Sequence, residues 1–337
     1  MIAAGALPLM AWLAFALIYY GTLLPNTALA KLDTGIPATA LIAQELRYLR
    51  KSLVSDPVTL ILVVSALARS LTQRSARSLA FGTRVLLYLA YTCRVGGDFM
   101  SGRFLTPVCV SAIVFLAREA TVTLDAWPVR LAGVSALIIG VSVIGTAHSP
   151  WHFWAARPAL GEPLAGADGI IDEQRVYYPY TGLLARLDGR RPVDHPWAHA
   201  GAEASTLPRV MVYEAVGLLG FHAGPAVHII DPMGLTDPLL ARQPALPDWR
   251  IGHFKRAIPE GYVPGLEHCL DHLFPRAVVA PPTRDCGDWP GDTNRLTDPR
   301  LAQEYDLIRL VTQGPLFSLA RVRAIVRLQT GFDPSRG

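Results

Sequence analysis

In the stretch TCRVGGDFMSGR, residues 92–103, one carboxylate, Asp98, stands between two guanidinium groups, Arg94 and Arg103. Guanidinium forks bind phosphate or sugar hydroxyls, and a carboxylate beside them orients a hydroxyl. The same trio also makes an internal salt bridge that holds a helical hairpin in register, and the residues alone leave both readings open. Upstream, YGTLLPNTALAKLDTG places Asn26 just after a Pro25 stop and Lys31 one helical turn further on, beside Asp33. An amide and an ammonium held there suit a lipid-linked phosphate; the structural alternative is a helix cap with a snorkelling lysine. Downstream, Asp231 follows the short apolar run AVHII, at the end of an expected strand, where open α/β sheets carry ligand groups. Trp249, Arg250 and His253, with Lys255, Arg256 and Tyr262, then mix aromatic faces with cations. That mixture is common where sugars stack and phosphates are bound, although a packed loop uses the same residue types. Between these two groups Asp237 is set to cap a short helix over 238–243.

Known catalytic signatures are missing from the second half of the chain. It has no G-x-S-x-G, no H-E-x-x-H, no phosphate loop and no paired C-x-x-C. Its histidines are scattered; among them His268 and His272, in EHCLDHLF, stand four apart. That pair reads either as two metal ligands on one helical face or as an ordinary surface helix.

The elements that must position these groups follow from where the apolar residues fall. The chain of 337 residues is 51% hydrophobic and 17% charged, against a charged fraction of about a quarter in ordinary soluble proteins. Residues 1–147 hold almost every long apolar run, whereas 148–337 are rich in Pro, Gly, His and charge. The expected fold is an α-helical multi-span membrane region followed by a soluble extracytoplasmic α/β domain. About five spans are expected, at 7–24, 57–71, 79–93, 105–117 and 129–147. The N-terminus lacks a basic n-region and an A-x-A-like cleavage site, so it reads as a retained span and not a signal peptide. Arg69, Arg74 and Arg77 share a loop with no acid, which the positive-inside rule assigns to the cytoplasm. Alternation then assigns Asp98 and everything after His148 to the outer face of the plasma membrane. Residues 39–53 read as an interfacial helix whose basic face meets membrane lipid, or as a plain solvated face. A net charge of +4 without any Lys/Arg block argues against a nucleic-acid partner. Cys93 and Cys109 sit in apolar runs as core thiols, and Cys269 and Cys286 are expected to pair in an oxidising compartment.

Three motifs taken together carry a family resemblance: YGTLLPNTALAK, RVGGDFMSGRFLTP and HIIDPMGLTDPLLAR with WRIGHFKRAIPEGY. They resemble the C-terminal half of GT-C class membrane arabinofuranosyltransferases of actinobacterial cell walls. The resemblance implies transfer of arabinofuranose from decaprenyl-phosphate arabinofuranose, a polyprenyl-phosphate sugar, to cell-wall arabinan outside the membrane. Enzymes of that class usually carry the catalytic carboxylate in the first outer loop of an N-terminal membrane module. Here the first outer loop offers only Asp33 and Glu45, in a segment resembling a later part of the family. The usual base is therefore carried over to no residue, and an incomplete half, or one dependent on a separate N-terminal membrane module, is the expectation. Inverting transfer needs one base for the acceptor hydroxyl and a cation or divalent metal for the leaving phosphate. Asp98 is the local candidate for the first role, and Lys31, Arg94 and Arg103 for the second. The competing reading is a membrane-anchored glycan-binding or accessory module without catalysis; a transporter, suggested by broken helices, is disfavoured by the long polar tail.

Overall fold

Local sequence sets where the helices begin and end in the computed structural model, which describes residues 2–122, 140, 166, 168–181, 195–206, 209–263 and 294–331. Helix α1 (Ile2–Tyr19) stops before the Gly21 turn and is followed by α2 (Asn26–Leu32). After α3 (Ala38–Ser55), the Asp56 side chain accepts a bond from the Thr59 amide at 3.4 Å and so caps α4 (Pro57–Gln73), whose first residue is proline. Arg74, with φ 53°, closes α4, and Ser75 caps α5 (Ala76–Val95) by accepting from the Ser78 amide at 3.1 Å. Helix α5 ends on Gly96, and a 3-10 turn at Arg103–Leu105 leads into α6 (Thr106–Val122). The remaining helices are α7 (Glu173–Thr181), α8 (Pro196–Ala204), α9 (Val216–Ala223), α10 (Pro299–Gln313) and α11 (Leu319–Gln329), with strands β1 (Arg209–Val212) and β2 (Val227–Ile230) on either side of α9.

These elements fall into two compact units. The central unit comprises Ile36–Arg190 and Arg250–His253; the terminal unit comprises Met1–Gly35, Arg191–Trp249 and Phe254–Gly337. The expected boundary between residues 147 and 148 lies outside the described residues.

In the central unit α5 and α6 both pack on α4. The shared core holds Val63 and Ala66 of α4, Val85 of α5, Val108 and Ala112 of α6, together with Tyr48, Leu105 and Ile170. A Cβ on Gly82 would stand 2.6 Å from Ser70 Oγ, so α4 and α5 approach closely there and the Ser70 hydroxyl would have to turn aside for any side chain. In α3 the face carrying Leu41, Gln44, Glu45, Tyr48 and Ser52 is buried, while Ile42, Leu46, Leu53 and Val54 are exposed.

The terminal unit is built on a parallel strand pair in register Arg209↔Val227 through Val212↔Ile230, with α9 as the crossover. Val210, Val212, Ile230, Leu239, Leu240, Tyr262, Val263 and Ile308 form its core. Helices α8 and α9 press together so closely that a Cβ on Gly201 would lie 2.2 Å from the Leu219 carbonyl oxygen. Arg321 of α11, 1% exposed, reaches back to the last turn of α1 and donates to the carbonyls of Ile18 at 2.7 Å and Tyr19 at 2.8 Å, and to Val311 at 2.9 Å. A cation on helix C-terminal carbonyls satisfies orphan acceptors and complements the dipole.

The structure corrects the expectation of about five spans ahead of a separate α/β domain. Among the described residues no single helix is long and apolar enough to cross a membrane. Only the pair Ala38–Ser55 and Pro57–Gln73 meets the criterion jointly, and it is bent by 110°. The expected spans at 57–71 and 79–93 lie within α4 and α5, where Ser70, Ser78 and Thr92 are buried, and the span at 105–117 runs from the 3-10 turn into α6. Such helices fall short of the about 20 consecutive apolar residues a crossing requires. The segment 129–147 lies outside the described residues, apart from Gly140.

Candidate functional site

The candidate site of the central unit is the loop that follows α5. Gly96 and Gly97 both take left-handed conformations, φ 77° and 70°, and their amides cap α5 through Cys93 O at 3.3 Å and Thr92 O at 2.9 Å. Space requires them as much as conformation does. A Cβ on Gly96 would lie 2.4 Å from Ile251 Cγ2, and one on Gly97 would lie 2.8 Å from Glu45 Oε2. The turn drops Asp98 into a fully enclosed position, 0% exposed.

There Asp98 Oδ1 accepts from Arg103 Nη2 at 2.7 Å and from the Phe99 amide at 3.0 Å, while Oδ2 accepts from Arg103 Nε. The pair is lopsided: the Arg103 side chain remains 44% exposed. The Phe99 ring stacks on His253 with centroids 4.0 Å apart, and the guanidinium carbons of Arg103 and Arg250 each lie 5.5 Å from its centroid. Arg250 Nη2 lies 3.1 Å from His253 Nδ1. Gly252, φ 91°, allows the 250–253 segment to rest on the Asp98–Phe99 backbone, since a Cβ there would meet the Phe99 amide nitrogen at 2.9 Å. A bridge between Met100 and Ile171 pins the other side of the loop.

Neighbouring groups are tuned chiefly by burial. The Glu45 carboxyl, 1% exposed, is raised above its ordinary range by desolvation, against the bond it accepts from Thr92 at 2.8 Å. The Tyr48 phenol is likewise pushed up by burial, although its oxygen accepts the Phe104 amide at 3.0 Å. Glu173, the first residue of α7, is raised by burial more than the charges of Arg103 and Arg250 lower it. Among the described residues no group of three or more His, Cys, Asp or Glu is placed to hold a metal ion.

Of the residues singled out in the sequence, Asp98, Arg103, Arg250 and His253 are thus brought together. Arg94, in the last turn of α5, is exposed. Asn26, Lys31, Asp231 and Trp249 belong to the terminal unit. Asn26 opens α2 half-buried, and Lys31 is buried near its end. Asp231 accepts the amides of Met233 at 2.8 Å, Leu235 at 2.9 Å and Thr236 at 3.0 Å, which makes it the organiser of the turn after β2. Trp249 lies under the Lys255 ammonium at 4.8 Å. Asp237 caps the following 3-10 turn (Leu240–Arg242) through the amides of Leu239 and Leu240, and also accepts the Tyr262 hydroxyl at 2.9 Å. Arg256, 1% exposed, ties this loop to α2 by donating to Met233 O at 3.0 Å, Phe254 O at 2.8 Å and Ala30 O. Cys269 and Cys286, and the pair His268 and His272, lie outside the described residues. Sequence reasoning passed over Phe99 and Glu173; the signal for Phe99 was its place between Asp98 and the arginines, and Glu173 offered none.

Residues 188–262, which carry β1, α9, β2, the Asp231 turn and the 249–253 segment, match the AftB family C-terminal domain. The curated relatives that the chain resembles are named as arabinofuranosyltransferases, in keeping with the resemblance drawn from the three sequence motifs. In particular, the chain is 26% identical to the terminal β-(1→2)-arabinofuranosyltransferase of Mycobacterium tuberculosis, over 77% of this chain and 51% of that protein. It is also 26% identical to the Corynebacterium glutamicum protein of the same name, over 53% of this chain and 33% of the relative. The chain therefore spans about half the length of the first of these relatives and about a third of the second. No solved structure matches it.

Proposed function

We propose that the chain is part of a cell-envelope arabinofuranosyltransferase that passes arabinofuranose from a polyprenyl-phosphate donor to cell-wall arabinan. The observation that carries this reading is the similarity, over 77% of the chain, to a relative named for terminal arabinofuranosyl transfer. In the reaction the acceptor hydroxyl oxygen bonds to the anomeric carbon, the bond from that carbon to the phosphate oxygen breaks with its electron pair, and the hydroxyl proton passes to a carboxylate. The lopsided pair supports a specific division of labour. Arg103, half exposed, turns to the donor phosphate, and Asp98, released from its bidentate partner, takes the proton. Arg250 and His253 hold hydroxyls over the Phe99 face. Asn26, Lys31, Arg94, Asp231 and Trp249 are assigned to substrate binding by their residue types and their places in the sequence, each to be tested singly.

The test is a membrane assay in cells lacking the endogenous enzyme, with the chain co-expressed with the N-terminal module of a relative. Release of polyprenyl phosphate and gain of terminal arabinofuranose are both measured. Asp98→Asn is expected to lower the rate by about 10²–10⁴, the usual contribution of a positioned base; an undiminished rate rejects Asp98 as the base. Glu173 is the second reading for that role, favoured by its partial exposure and raised carboxyl. If Glu173 is the base, the acid limb of the rate profile lies above the ordinary carboxylate range and is lost in Glu173→Gln. Arabinan binding without any release of polyprenyl phosphate, even with the module present, replaces the enzyme reading with that of a glycan-binding accessory module.

A further inference from the structure

A groove of about 1440 Å³ runs between α5 and α6 of the central unit, clear of the Asp98 loop. It arises because both helices lean on α4 and barely touch each other. Small-molecule clefts hold about 300–1,000 Å³, so this one is sized for a larger, extended ligand. Its floor is apolar: Phe81 and Phe115 stack with centroids 4.2 Å apart, and Val110 and Val114 line the α6 wall with about half their surface open. Its polar lining is cationic. Arg77, Arg84 and Arg118 stand there against one carboxylate, Glu119, and that carboxylate is already engaged by Arg69 at 3.5 Å and by the Gln73 amide. Arg77 and Arg84 are exposed and make no ion pair or hydrogen bond among the described residues. The first turn of α5, with its positive dipole end, lines the same groove. Beside it, Leu86, Leu87 and Ile113 point away from the core, each about half exposed or more.

Cations above, hydrocarbon below and aliphatic flanks describe the two parts of an amphiphile with an anionic head. We infer that this groove binds an anionic diacyl phospholipid, the phosphate held by Arg77 and Arg84 and the acyl chains laid along the Phe81–Phe115 floor. The volume of about 1440 Å³ has room for two chains, and the charge selects an anionic head over a zwitterionic one. The inference is independent of the transferase reading, because none of these residues belongs to the Asp98 site.

The test is fluorescence anisotropy with an acyl-labelled phosphatidylglycerol titrated with the full chain in non-ionic detergent micelles, with labelled phosphatidylcholine as the comparison. Phosphatidylglycerol is expected to bind at least tenfold more tightly. Double substitution Arg77→Gln/Arg84→Gln is expected to weaken phosphatidylglycerol about 30-fold, from about 1 kcal/mol per basic group near an anionic lipid surface, and to leave phosphatidylcholine unchanged. Both arginines are exposed, so circular dichroism is expected to show an unaltered fold. As a second variant, Val114→Trp fills the floor and is expected to weaken both lipids. Equal binding of the two lipids, or unchanged phosphatidylglycerol binding in the folded double variant, overturns the inference. Displacement of phosphatidylglycerol by undecaprenyl phosphate at a tenth of its concentration, or by inorganic phosphate alone, overturns it too, since the site would then take a single-chain lipid or a bare anion.

Discussion

The Asp98–Arg103 pair makes an asymmetric prediction, because one partner is fully enclosed and the other is nearly half in water. Removing one member of a buried pair strands the other, at a cost of about 3–5 kcal/mol when the survivor is wholly buried. In Arg103→Gln the survivor is Asp98, 0% exposed, which keeps the bond from the Phe99 amide but loses both bonds from the guanidinium. The open half of Arg103 lets water follow the substitution, so we place the loss at the lower end, about 3 kcal/mol. In Asp98→Asn the survivor is a guanidinium that water already reaches, and the Asn oxygen keeps the bond from the Phe99 amide. The loss there is about 1 kcal/mol, that of an ordinary hydrogen bond exchanged for water. The double variant Asp98→Asn/Arg103→Gln removes the stranded charge and is expected to be more stable than Arg103→Gln alone. Urea unfolding of the four proteins in one detergent, followed by circular dichroism, closes the cycle. If Asp98→Asn costs as much as Arg103→Gln, or the double variant is the weakest of the four, the pair is not governed by the burial of its carboxylate.

Two further outcomes concern the terminal unit. Gly201→Ala places a methyl group 2.2 Å from a backbone carbonyl that no rotamer change can move, and is expected to cost about 2 kcal/mol or more, read as a lowered midpoint of thermal unfolding. Burial pushes the Asp237 carboxyl up to about 6, against the bonds from Leu240, Tyr262 and Leu239. A raised carboxyl favours the protonated folded state, so its contribution is full below the unfolded value near 4 and is lost as pH rises through 6. Stability is therefore expected to increase by about 2–3 kcal/mol between pH 7 and pH 4 relative to Asp237→Asn, which lacks this titration; parallel pH profiles of the two proteins refute the assignment.

Short-range chemistry was readable from the sequence. The Gly96–Gly97 turn, the proximity of Asp98 to an arginine, and the bonds that Asp237 accepts from the amides just after it all depend on neighbours within a few positions. The expectation of about five spans failed because no described helix is both long and apolar enough to cross a membrane: α4 is 17 residues long, and α5, at 20, carries Arg77, Arg84 and Arg94. Nor did periodicity announce that residues 250–253 belong with 36–190, or that Phe99 would stack on His253, because those contacts join segments more than a hundred positions apart. Glu45 was weighed only as an acid in an outer loop; its burial against Gly97 depends on the packing of α3 beside the end of α5.

Arg321 donates to a carbonyl 303 positions earlier in the chain. During synthesis, α1 therefore emerges some 300 residues ahead of the side chain that closes its last turn. At about 5–20 residues per second the interval is on the order of tens of seconds. Throughout that time an apolar helix must keep its terminal carbonyls and its exposed Trp12, Phe15 and Ile18 faces from other chains. A nonsense mutation just before α11 would thus have its first effect 303 positions upstream, at the last turn of α1.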